Sequence, residues 1–82
     1  MNVRVMTPEK NIFDSEVESV QIPGVEEEFS LMDFHQPALI RLARGTLHLY
    51  FRKDGSLTSL AIPIRRGVAR VGTQITLLVE ER

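Results

Sequence analysis

The sequence predicts an all-β fold: a flattened sandwich or barrel of about 8–10 short strands. Two observations carry this. Breakers recur at short intervals (Pro8, Pro23-Gly24, Pro37, Gly45, Asp54-Gly55, Pro63, Gly67, Gly72) and leave little room for a long helix. Between them, apolar and polar residues alternate with period two, the pattern of strands that bury one face. The length of 82 residues fits a single domain spanning 1–82. A chain this short buries only about 60% of the surface its unfolded form exposes. With no cysteine it has no disulfides to help, so its core must pack efficiently.

Taken in order, Val3 and Val5 flank Arg4, and Val20 and Ile22 alternate with Ser19 and Gln21. The clearest strand is Thr46-Leu47-His48-Leu49-Tyr50-Phe51-Arg52, with Leu47, Leu49 and Phe51 on one face and His48 on the wet face. Asp54-Gly55 supplies the positive φ angles of a tight hairpin turn. Leu60, Ile62 and Ile64 form the next inner set. Pro63 among them removes a ladder donor, so that strand is expected at an edge or with a bulge there. Val71-Gly72-Thr73 turns the chain into a last strand with Ile75, Leu77 and Val79 inward. The segment Pro37–Gly45 supports two readings. One is two helical turns, with proline first and glycine as the stop. The other is a strand with Leu39 buried and Arg41 exposed.

The net charge of −1 argues against a general nucleic-acid binder. It conceals an asymmetry: residues 1–33 carry a balance of −6 and residues 34–82 a balance of +5. Either the halves interleave and the charges mix, or the fold presents two faces to two partners. No apolar run reaches the roughly 18–20 residues that span a bilayer, and the N-terminus lacks the layout of a signal peptide.

Catalytic patterns are missing. His35 and His48 are not spaced as helical zinc ligands, and no cysteine can assist them. No hydroxyl residue lies in a nucleophile elbow, and there is no phosphate-cradling loop or dinucleotide fingerprint. Glu26-Glu27-Glu28 is the densest charge run, either a solvated loop or a polar contact patch. Arg65-Arg66 with Arg70 forms a small basic cluster, suited to an acidic partner or to solvated strand edges. These features point to a non-enzymatic binding or assembly module.

The order of motifs then becomes informative. Thr7-Pro8-Glu9, Phe13, Glu16-Val17, Val20 and Ile22-Pro23-Gly24 are followed by Glu28-Phe29-Ser30-Leu31-Met32 and His35-Gln36-Pro37-Ala38-Leu39. With Leu42, Gly45, Gly67–Val71 and Ile75–Leu78, this series resembles the β-sandwich domain of the epsilon subunit of F-type ATP synthases over nearly the whole chain. Glu27 and Ser30 stand where that family usually has glycine, Asp33-Phe34 replaces Pro-Gly, and Gln36 replaces alanine. Those departures stiffen the central loop and suggest a divergent branch, such as an alternative F-type ATPase.

The resemblance implies a non-catalytic rotor subunit. It would link the gamma subunit to the c-ring and couple ion transport, of protons or sodium, to ATP synthesis or hydrolysis. It implies no cofactor, no metal, no nucleotide bound by this chain, no nucleic acid and no direct transmembrane insertion. The location implied is peripheral, in the F1 sector on the cytoplasmic side of a bacterial inner membrane. It implies c-ring contact at Glu28 and His35, with Glu26, Asp33 and Phe34 flanking. The family's C-terminal helical hairpin, which can restrain ATP hydrolysis, is expected to be lacking here. The competing reading is a free-standing β-sandwich protein-binding module that shares only the fold.

Overall fold

The computed structural model describes residues 1–31 and 36–82. Every regular element among them is a strand: β1 (Asn2–Met6), β2 (Asn11–Glu16), β3 (Ser19–Pro23), β4 (Glu28–Leu31), β5 (Ala38–Leu42), β6 (Gly45–Lys53), β7 (Ser56–Val71) and β8 (Gln74–Glu81). Hydrogen-bonded neighbours run β2-β1-β8-β7-β6-β3-β4, and β5 also pairs with β7.

β7 gives this continuous ladder its two layers. Its first half pairs with β6, from Ser56–Lys53 to Ile64–Gly45. Its second half lies between β8 and β5. The register shifts between Ile64 and Arg66, just after Pro63, which is where the sequence placed an edge or bulge. A bulge bends its strand and raises the local twist, so the 16-residue β7 passes from one layer to the other. The first layer is β4-β3-β6 with the start of β7. The second is β5, the end of β7, β8, β1 and β2. β1 and β8 pair in parallel and all other pairs are antiparallel.

The alternating residues meet between the layers. Val20, Ile22, Leu47 and Leu49 come from the first, and Val3, Val5, Ile75 and Leu77 from the second, all essentially inaccessible to solvent. Phe13 and Phe51 close one rim with ring centroids 5.5 Å apart.

The turns have local causes. Asp54 and Gly55 both take positive φ, 53° and 80°, as a tight hairpin turn requires. Between β1 and β2, Thr7 is buried and its Oγ1 accepts the amide N–H groups of Glu9 and Lys10 at 3.2 and 3.1 Å. A threonine hydroxyl here substitutes for backbone partners that the turn cannot supply.

One open choice is settled and two expectations change. Pro37–Gly45 is not helical, since its core is β5. Within β5, Leu39 is not buried but 73% exposed. Leu39, Ile40 and Leu42 are apolar on both parities, and pairing with β7 decides between them. Ile40 stands opposite Ala69 on the inner face, which leaves Leu39 opposite Arg70 on the outer one. Finally, Gly67 does not interrupt the chain but lies inside β7, opposite Val79. A Cβ there would come within 2.6 Å of the Leu78 carbonyl oxygen, so the glycine serves close strand approach rather than a turn.

Candidate functional site

The charge asymmetry resolves into a paired part and an unpaired part. Glu18 accepts from Arg52 at 2.8 Å, Asp14 from Arg4 at 3.3 Å and Glu80 from Arg66 at 3.0 Å, while the N-terminal amine meets Glu16 at 3.0 Å. Such surface pairs contribute little stability, and of the side-chain pairs only Glu18–Arg52 joins an acid of the first half to a base of the second, since Asp14–Arg4 and Glu80–Arg66 each lie within one half. Beside scattered charges such as Glu9, Arg44, Lys53, Asp54 and Arg65, two local groups are left without ion pairs among the described residues. Glu26, Glu27 and Glu28 have no ion-pair partner among the described residues, and neither do Arg41 and Arg70.

The acidic group occupies one end of the sandwich, in the turn from β3 to β4. Pro23-Gly24 makes this turn tight: a Cβ on Gly24 would lie 2.4 Å from the Glu27 carbonyl oxygen and 2.7 Å from the Phe29 ring. The turn is tied to β5 and the residue after it by two hydrogen bonds: the Val25 N–H donates to the Arg41 carbonyl (3.1 Å) and the Ala43 N–H to the Pro23 carbonyl (2.7 Å). Glu26 and Glu27 therefore project from a braced loop beside Val25, Leu39 and Arg41, around a depression of about 300 Å³. Glu28 opens β4 opposite Pro23 and is exposed. Asp33, Phe34 and His35, which complete the contact set implied by the resemblance, lie outside the described residues. The two site residues that are described, Glu26 and Glu28, lie at one end of the molecule, with Glu27 between them.

A second surface was not legible as functional in the sequence. On the outer face of the second layer, Arg41, Val68, Leu78 and Met6 stand in one cross-strand row. The next row carries Leu39, Arg70, Thr76 and Arg4. Val68 and Leu78 are 38% and 46% exposed. With Pro8, Val25 and Arg41 they border a groove of about 350 Å³. Directly opposite side chains lie on one face of a sheet, so this is a continuous apolar strip edged by arginines. The signal was present as doublets: Leu39-Ile40 and Leu77-Leu78 place apolar residues on both parities, which a half-buried strand does not need. Val25 and Arg41 border both depressions, so the two surfaces adjoin.

The outer face of the first layer is different. His48 is half-buried there and stacks near Tyr50, at a 6.5 Å ring separation and an interplanar angle of 19°. Their cross-strand neighbours Ser19, Gln21, Ser59 and Ala61 are uncharged. Among the described residues no three histidine or carboxylate side chains converge as metal ligands.

Residues 1–81 match the family model described as the β-sandwich domain of the ATP synthase delta/epsilon chain. The ATP synthase epsilon chain of Caulobacter vibrioides is 33% identical over 81 residues, which cover 98% of this chain and 90% of that one. That of Maridesulfovibrio salexigens is 38% identical over 79 residues, but this chain spans only 53% of its length. Among solved structures, a chain of the Tetrahymena thermophila mitochondrial ATP synthase central stalk and c-ring superposes with a TM-score of 0.84 at 18% identity. That match covers 99% of this chain and 63% of the other. A chain of the Euglena gracilis mitochondrial assembly gives 0.80 at 21% identity, over 96% and 49%. At such identities the structural matches establish a shared fold. The motif order, the two-layer strand topology and the match over residues 1–81 agree: the chain belongs to the ATP synthase delta/epsilon-chain β-sandwich family.

Proposed function

We propose that this chain is a non-catalytic rotor subunit of an F-type ATP synthase, a sandwich domain spanning 1–82 that joins the gamma subunit to the c-ring. It acts in the peripheral F1 sector on the cytoplasmic side of a bacterial inner membrane, and binds no nucleotide or cofactor itself. The observation that supports this reading is that a braced acidic turn, Glu26–Glu28, adjoins an exposed apolar strip edged by arginines on one close-packed body. The braced acidic end at Glu26–Glu28, with Asp33, Phe34 and His35 in the same stretch of sequence, meets the polar loops of the c-ring. The strip of Val68 and Leu78, edged by Arg41 and Arg70, meets gamma. Apolar centres with arginine at the margin suit protein docking. A dense core then makes the body stiff enough to pass torque from one surface to the other.

The gamma assignment has a direct test. Val68→Asp with Leu78→Asp places two carboxylates on an exposed strip, where substitution leaves folding largely intact. Co-expressed with its cognate gamma subunit, the double variant is expected to recover at least about tenfold less gamma than wild type, with a urea midpoint lowered only slightly by the two carboxylates facing each other across β7 and β8. Undiminished recovery of gamma would move the contact elsewhere.

A further inference from the structure

Among the described residues the sandwich leaves several strand edges open, and all of them but the start of β7 carry charge. β2 has Asp14 and Glu16, β4 has Glu28, β5 has Arg41, and the end of β8 has Glu80 and Glu81. Charge at an edge discourages pairing with foreign strands. The exception is the start of β7. β8 follows one side of β7 up to Pro63, whose carbonyl oxygen accepts the Arg82 amide at 3.3 Å. From Ile62 back to Ser56, that side has no neighbour among the described residues, because β6 lies on the other side. Ser56-Leu57-Thr58-Ser59-Leu60-Ala61-Ile62 contains no charged residue, and Leu57 and Leu60 are 57% and 37% exposed.

We propose that this edge accepts an extended, uncharged segment of a second stalk subunit as an added strand, an inference that rests on the rotor reading. The edge itself defines the occupant. Leu60 and Ile62 point to the inner side and Ser59 and Ala61 to the outer, so the incoming strand needs apolar residues at alternate positions and small neutral ones between. The neighbouring outer face is uncharged at Ser19, Gln21, His48 and Tyr50 and extends the same requirement, while Arg52, opposite Leu57, is paired with Glu18 at 2.8 Å. A second copy of this chain fits less well. Seven residues at about 3.3 Å each, one layer of about 10 Å deep, present on the order of 230 Å². A stable interface buries about 800 Å² a side. An added strand of that size holds when its protein is already tethered through another contact, such as the strip on the second layer.

The test is amide hydrogen exchange across Ser56–Ile62, in the isolated chain and in the purified F1 complex. Alternate amides that exchange freely in the isolated chain are expected to slow by about 100-fold in the complex. Ser59→Lys is expected to abolish that slowing while leaving the isolated fold unchanged. A complex that forms with exchange at this edge unaltered would overturn the inference and leave the rotor reading standing. Failure to enter the complex at all would sink both. Protection already present in the isolated chain would mean the edge is covered from within. Protection that rises with concentration alongside a sedimenting dimer would assign it to a second copy. Either result overturns the proposal.

Discussion

Replacing Leu47 by alanine is expected to lower the unfolding free energy by about 3 kcal/mol, within the range measured for buried leucines. Leu47 has no solvent exposure and lies on β6, opposite Ile62 on β7. It belongs to the buried cluster that the two layers form between them. At about 0.05–0.15 kcal/mol per residue a chain of this length has roughly 4–12 kcal/mol in total. The loss is thus a large fraction of the whole and corresponds to a fall in melting temperature of roughly 12–24 °C. Leu57→Ala, at an exposed position of β7, is the control and should change stability by less than about 0.5 kcal/mol. Urea titration of both variants checks this through the midpoint at constant slope. A Leu47→Ala midpoint equal to that of Leu57→Ala would contradict the assignment of the core.

The second large effect is functional. Reversing the acidic turn with Glu26→Lys, Glu27→Lys and Glu28→Lys should uncouple the rotor while leaving the sandwich folded. The three side chains are exposed and have no ion-pair partner to lose among the described residues. Stability should therefore change little, whereas a contact with a polar loop of matched charge would become repulsive. In inverted membrane vesicles, ATP-driven ion pumping is expected to fall by about tenfold or more while gamma still co-purifies. Pumping at the wild-type rate would remove this turn from the c-ring contact. Loss of gamma as well would mean that the two surfaces are not functionally separate.

How legible these features were depended on how many apolar residues each strand carries. β6 was plain, because Leu47, Leu49 and Phe51 alternate cleanly with polar neighbours. β5 was ambiguous, because apolar residues occupy both parities and only the pairing of Ile40 with Ala69 selects the inner set. The length of β7 was hidden for a different reason. Pro63 and Gly67 are breakers by local propensity, yet here a bulge absorbs the first strain and close approach of Leu78 requires the second residue. Tertiary context overrides propensity at such places.

The same holds for the surfaces. Glu26 and Glu28 could be chosen from the motif resemblance, since their chain positions suffice. The strip of Val68 and Leu78 could not, because those residues are ten apart in sequence and become neighbours only through β7–β8 register. Nor could the sequence foresee which charges would remain unpaired once Glu18 meets Arg52 and Asp14 meets Arg4.

The central claim is mechanical linkage between the gamma subunit and the c-ring, and an add-back experiment tests it most directly. Membranes carrying the cognate ATPase without this chain would be assayed for ATP-driven ion pumping per ATP hydrolysed, before and after adding the purified protein. Restored pumping on addition, and no restoration with the lysine-reversed turn, is the predicted result. A pumping ratio that is already complete without the chain, or that stays low after it binds, would contradict its role as the coupling link.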